Sequence, residues 1–280
     1  MSQGKRGKKI IKKDGRTELF APEKLCQSVT AVGVPEHLAQ QVCSIVDESI
    51  ESGVSTDKIF ISTRKYISEF NPKMAALYSL QRGLSALGPS GFIFEQYVAA
   101  LFTEMGYHVQ TNIYAQGEGV SHEIDVWAEK GNIVFVIEAK YRNDFKSKTH
   151  INQVMYADAK VQDIKRRAII EGDTREFYEW VVTNTRFTNN AINYVQHRDM
   201  QLMGWDFPKY INLKKIVFER NLYPVTTLPS ITKKALKQFS TDGIILVKQL
   251  TDFNIDQLIH NYNLSHSLSK KIVAEVKELT

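Results

Sequence analysis

Asp125, Glu138 and Lys140 lie within HEIDVWAEKGNIVFVIEAKYR, residues 122–142. Most of that stretch is apolar and reads as buried strand. Buried strands ordinarily exclude charge, because an unpaired carboxylate or ammonium away from water is costly. The three groups therefore either satisfy one another or hold something. Side chains alternate faces along a strand, so Glu138 and Lys140 share a face and Ala139 takes the other. A turn centred near Lys130-Gly131 would put Asp125 opposite Val136. It would then be a diagonal neighbour of Glu138, with Cβ atoms about 7–8 Å apart. Two converging carboxylates suit Mg²⁺ or Mn²⁺, which accept one or two such ligands, keep waters and leave room for a substrate phosphate. A bound cation lowers the pKa of its water and neutralises charge developing on phosphorus. Lys140 beside it could contact the phosphate and the attacking water. The set is thus a device for phosphodiester hydrolysis. The alternative is a strand-end ion pair, Asp125–Lys140 or Glu138–Lys140, with no chemistry. Glu138 closes the apolar run IVFVI, and a carboxylate there needs a reason.

The elements around these residues fall into three regions. Residues 1–9 are polar and basic and read as a mobile arm. Two short extended pieces flank KKDGR, where Asp-Gly marks a hairpin turn. Helices follow over 22–32, 35–52, 56–70 and 73–87, with Pro22 at an early helical position and Asn71-Pro72 as a break. The turn-formers at 87–91 mark a boundary. A helix over 92–106 then precedes strands at 107–115, 123–129 and 132–140. A helix at 150–170, a strand at 180–184, a helix at 189–197 and a short strand at 200–205 complete a mixed sheet with helices packed on it. Beyond Tyr223-Pro224 the pattern is a run of short helices.

The chain has 280 residues and a net charge of +5, with a pI of about 9.0. That length favours two or three domains, and the charge weakly favours polyanionic partners. Lysine and arginine cluster at 5–16 and at 140–167. No apolar run is long enough to span a bilayer and no secretory signal precedes the first helix, so no membrane role is expected. The two cysteines, Cys26 and Cys43, are too few for a zinc ribbon. They read as reduced core thiols of a cytoplasmic protein.

Residues 91–205 resemble the Mrr-like branch of the PD-(D/E)XK restriction-endonuclease superfamily. The matching pieces are Gly91-Phe92-x-Phe94-Glu95 with Leu101-Phe102-x-x-Met105-Gly106-Tyr107, then Gly119-x-x-x-Glu123-Ile124-Asp125, then Glu138-Ala139-Lys140. The later stretch VVTNTRFTNNAINYV also fits. The resemblance implies that Asp125 and Glu138 bind metal and that Lys140 assists the water. It implies that Glu95 approaches from the first helix, although a solvated helix glutamate is the plain alternative. It also implies that Gln153 on the following helix touches the site or the DNA. His122 reads as a loop polar residue. Arg142, Lys146, Lys148, Lys160, Lys165, Arg166 and Arg167 would suit phosphate-backbone contacts, or form a solvated basic face.

Residues 8–88 are similar to the ATP-cone, the nucleotide-sensing module of ribonucleotide reductases and of a related transcriptional repressor. Ile10, Lys12, Lys13, Asp14, Gly15, Glu18, Phe20, Lys24 and Leu25 follow its opening pattern, with Lys13 where arginine is usual. This implies ATP or dATP binding by Lys12, Lys13, Glu18, Lys24 and Thr56. The C-terminal helices resemble helix-hairpin-helix modules, with Tyr262-Asn263-Leu264-Ser265-His266-Ser267 as the hairpin and Lys270 and Lys271 following. A protein-docking bundle is the alternative.

The expected architecture is multidomain α/β: a mostly helical ATP-cone at 1–88, a mixed-sheet α/β restriction-endonuclease-like core at 89–222 and a small all-α domain at 223–280. The expected function is a Mg²⁺-dependent endonuclease acting on double-stranded DNA and regulated by ATP or dATP, with nucleotide-dependent homo-oligomerisation. The rival expectation is a non-catalytic nucleotide-sensing DNA-binding regulator on a nuclease fold.

Overall fold

The computed structural model describes residues 7–89 and 91–280. Most of the expected basic arm, residues 1–6, and Ser90 in the expected boundary lie outside the described residues. The chain divides into two compact units, Met1–Ser79 and Leu80–Thr280.

In the first unit, β1 (Lys9–Ile11) and β2 (Thr17–Leu19) form the expected hairpin. Gly15 supplies the positive φ of +82° in its turn. Helices α1 (Pro22–Thr30) and α2 (Glu36–Ser49) follow, then β3 (Val54–Ser55) and α3 (Thr56–Phe70). β3 adds to β1 in parallel and makes a sheet of order β2-β1-β3. Two-residue strands carry almost no periodic signal, which is why the pattern missed β3. Leu25, Val29, Val42, Val46, Ile59 and Ile67 pack around Ile10 as the core. A disulfide joins Cys26 to Cys43, with Cα atoms 5.7 Å apart. This corrects the expectation of reduced thiols. The separation of 17 residues gives no hint of pairing, and only the packing of α1 on α2 brings the two sulfurs together. Helix α4 (Pro72–Ser85) runs across the division between the units.

The second unit opens with α5 (Phe92–Glu104), β4 (His108–Gln116), β5 (Ser121–Lys130) and β6 (Ile133–Lys140). Next come β7 (Lys148–Thr149), α6 (Ile151–Glu171), β8 (Glu176–Thr183), β9 (Arg186–Phe187), α7 (Asn189–Val195) and β10 (Met200–Met203). The main sheet has the order β10-β8-β6-β5-β4. β4, β5 and β6 form an antiparallel meander, while β6, β8 and β10 run parallel. The parallel step from β6 to β8 needs a crossover, and α6 supplies it. Val161, Ile164 and Ala168 of α6 pack on Val134, Val136 and Phe177 of the sheet. β7 and β9 form a separate two-stranded parallel pair. α8 (Leu213–Arg220), where the sequence pattern placed no element, ends at Asn221 in the left-handed region with φ +54°. The expected short helices then appear as α9 (Lys233–Thr241), α10 (Ile255–Tyr262) and α11 (His266–Leu279). Asn263, with φ +47°, closes α10 in the expected hairpin.

Among the described residues, no helix is long and apolar enough to cross a membrane.

Candidate active site

The hairpin joining β5 to β6 turns on Gly131-Asn132, because Lys130 faces Ile133. Gly131 takes φ +61° there, as a two-residue hairpin loop with glycine in its first central position requires. The turn is one residue later than the sequence placed it, and the register moves by two. The last paired rung is Val126↔Ile137. One step on, Asp125 stands opposite Glu138 rather than Val136. A shift of two keeps every side chain on its face, so the expected convergence survives the correction and becomes tighter.

Asp125 sits where two ladders break. Its place opposite β4 falls between the rungs Thr111↔Val126 and Ile113↔Ile124. The residue there is Asn112, in the left-handed region with φ +51°. On the other side β5 and β6 part after Val126↔Ile137, while β6 stays paired with β8 through Glu138↔Val181 and Lys140↔Thr183. The freed amide of Ala139 is satisfied by a side chain: it donates to Oδ2 of Asp125 at 2.8 Å. A buried N–H needs such a partner, and this one fixes the carboxylate beside Glu138.

Glu138 is buried. Lys140 donates to its Oε1. Lys160 of α6 donates to its Oε2 at 2.6 Å and to the carbonyl oxygen of Glu123 at 2.8 Å. Lys160 is therefore a buried partner of Glu138, which corrects its reading as a backbone-phosphate contact. Helical periodicity gave it a face of α6, and the neighbouring basic residues suggested that the face was solvated. Arg166 and Arg167 also have carboxylate partners, Glu118 at 2.7 Å and Glu171 at 2.5 Å.

The electrostatics follow from this geometry. Burial, then the facing charge of Glu138, raises the Asp125 carboxyl above its ordinary value, against the Ala139 amide and the two lysines. Burial would raise Glu138 as well, but Lys140 and Lys160 outweigh it and hold that group below the ordinary value. Glu95, in the first turn of α5, is pushed up to about 7 by burial and then by Asp125 and other nearby carboxylates, with Lys140 opposing. A glutamate in that range can take or give a proton near neutral pH.

Gln153 serves a different contact from the triad. Its Oε1 accepts from Arg142 and from the amide of His150 at 3.3 Å, at the start of α6. Arg142 is fixed in turn by buried Asn184, which exchanges two hydrogen bonds with its main chain at 2.8 and 2.9 Å. His122 lies on β5 rather than in a loop and meets Asp163 at 2.8 Å. Asp163 also accepts from the amides of Gly119 and Val120. These contacts, His122 first, lower its carboxyl to about 2.

The sequence reading passed over Glu179 on β8. It is buried, and among the described residues neither of its oxygens finds a hydrogen-bond partner. Burial, then the charges of Asp158 and Glu138, raises it to about 9. A signal was available, since Glu179 interrupts FYEWVVT as Glu138 ends IVFVI.

The donor set fits a divalent cation. Two carboxylates opposite one another on β5 and β6 match the one or two that Mg²⁺ takes from protein, and their oxygens keep lone pairs beyond the bonds they make. Among the described residues no group of three or more His, Cys, Asp or Glu forms a larger cage.

In the first unit, Lys12 pairs with Glu18 at 2.6 Å. That contact, with Lys24 adding at longer range, lowers the Glu18 carboxyl. The rung Ile11↔Ser55 places Thr56 next to the strand end that carries Lys12. Lys13 is exposed in the hairpin turn.

Residues 88–209 match the Mrr catalytic family model, described as a restriction endonuclease. Residues 223–280 match the AF1548-like C-terminal model. Both matched regions lie outside residues 1–87. An uncharacterized protein of Archaeoglobus fulgidus is 28% identical over 182 residues, covering 65% of this chain and 99% of that protein. The crystal structure of the protein of unknown function AF1548 is similar at a TM-score of 0.55 and 29% identity, over 65% of this chain and 94% of that one. The small subunit of the heterodimeric restriction endonuclease R.BspD6I is similar at a TM-score of 0.29 and 13% identity, over 72% of this chain and 96% of that one. The chain thus carries a restriction-endonuclease-like domain at 88–209 and an AF1548-like C-terminal domain.

Proposed function

We propose that the chain is a metal-dependent DNA endonuclease whose activity responds to an adenine nucleotide held by the first unit. The observation that carries the reading is Asp125 opposite Glu138, with Lys140 on the Glu138 carboxylate, inside a domain that matches a restriction endonuclease. Asp125 and Glu138 would hold Mg²⁺ or Mn²⁺, which when bound makes water a nucleophile and neutralises charge on the phosphate. Lys140, about a quarter exposed (27%), can leave Glu138 and meet a phosphate oxygen. Glu95 would carry a proton near neutral pH. Arg142, anchored by Asn184 and Gln153, suits the DNA backbone. Gln153 then acts through Arg142. Lys12, Lys13, Glu18, Lys24 and Thr56 would hold ATP or dATP, and the helices of 223–280 would add DNA or protein contacts.

A second reading is a non-catalytic nucleotide-sensing DNA-binding regulator. It is favoured by the engagement of both Glu138 oxygens with ammonium groups.

Cleavage of supercoiled plasmid and linear duplex decides between them, with Mg²⁺ or Mn²⁺ and with or without ATP or dATP. Glu138→Ala and Lys140→Ala are each expected to lower cleavage by roughly a hundredfold or more, as removal of a group that stabilises the transition state does. DNA binding without cleavage under every condition would establish the regulator.

A further inference from the structure

The two lysines on Glu138 have different surroundings. Lys140 follows Glu138 by two on the same strand, is partly exposed, and makes its ion pair with Oε1. Lys160 comes from α6, has a side chain only 6% exposed, and has two fixed acceptors, Glu138 Oε2 and the Glu123 carbonyl oxygen. The ring of Tyr156 lies 5.4 Å from its Nζ. One ammonium thus ties α6 to β6 through a carboxylate and to β5 through the main chain two residues before Asp125. An ammonium this deeply buried is tolerated only with such partners. Lys160 cannot turn to a substrate without giving up both bonds, whereas Lys140 can turn toward solvent.

We propose that Lys160 is a positioning residue for the cation site: by anchoring Oε2 of Glu138 it would hold that carboxylate oriented for a cation, and Lys140 would be left free to serve the phosphate. The proposal rests on the endonuclease reading. It divides the two lysines by task, Lys160 for metal affinity and Lys140 for turnover.

The test is calorimetric titration of the full chain with MnCl₂ in the absence of DNA, with thermal melting in EDTA as the check on folding. Lys160→Met is expected to weaken Mn²⁺ binding by roughly ten- to hundredfold, the usual cost of losing a group that orients a metal ligand. Lys160→Arg should recover part of that loss. Lys140→Met should bind Mn²⁺ nearly as wild type does yet lose DNA cleavage. If Lys160→Met does not melt cooperatively, Lys160→Arg and Lys160→Gln are judged on the same criterion. Wild-type affinity in the folded Lys160 variants overturns the proposal and leaves the endonuclease reading standing. A wild-type chain that binds no Mn²⁺ overturns both.

Discussion

Glu179 is a residue through which pH acts on stability. Its carboxyl is buried without a hydrogen-bond partner, and its pKa rises from 4.5 to about 9. The folded chain therefore keeps this proton where the unfolded chain has lost it. Stability from this group is complete below the unfolded value and falls as pH rises toward about 9, because the folded state then binds more protons than the unfolded one. Melting temperature measured from pH 5 to 9 should decline in the wild type. The decline should be shallower in Glu179→Gln, which has no proton to lose. Equal slopes would mean that Glu179 is not protonated in the folded protein. Glu138 is the counter-case, because two ammonium groups compensate its burial and it stays ionised. The same sheet thus holds one carboxylate charged and one neutral, by partners alone.

At the scale of elements, the site depends on a strand whose pairing lapses at one residue. From Glu129 back to Val126 β5 is paired with both β4 and β6; at Asp125 both pairings lapse, and only the one with β4 resumes, at Ile124. The loop entering β5 is secured by Asp163 of α6, which accepts from the amides of Gly119 and Val120 and meets His122. Gly117 packs so closely that an added Cβ would lie 2.0 Å from Asp163 Oδ2. Gly117→Ala must therefore displace that carboxylate. It is expected to speed hydrogen exchange at Gly119 and Val120 by roughly tenfold or more while leaving the core of β6 protected. Unchanged exchange at those two amides would show that Asp163 does not hold the loop.

For the whole molecule, the two compact units set the form of the nucleotide experiment. ATP or dATP bound to the first unit should raise the melting temperature, since a ligand that binds only the folded state stabilises it by mass action. Lys12→Ala and Lys24→Ala should each remove most of that rise without changing Mn²⁺ binding. Light scattering with and without nucleotide measures assembly in the same samples. No rise with either nucleotide would remove the first unit from the account of regulation.

Residue order alone determined a good deal of this protein. The hairpin of β1 and β2, most helices of both units and the α-β-β-β-α order of the core were legible because their periods and turn residues are local. So was the grouping of Asp125, Glu138 and Lys140, because charge at the end of an apolar strand needs a cause. Lys160 and Glu179 were legible as charged residues but not as buried groups that feel the charge of Glu138. A lysine on a basic helix looks solvated until the helix is packed. The disulfide, the exact rung opposite Asp125 and the amide of Ala139 were decided only by the tertiary structure. Each depends on how two distant segments meet, and a one-residue change in a turn moves a rung by two while leaving the local pattern the same.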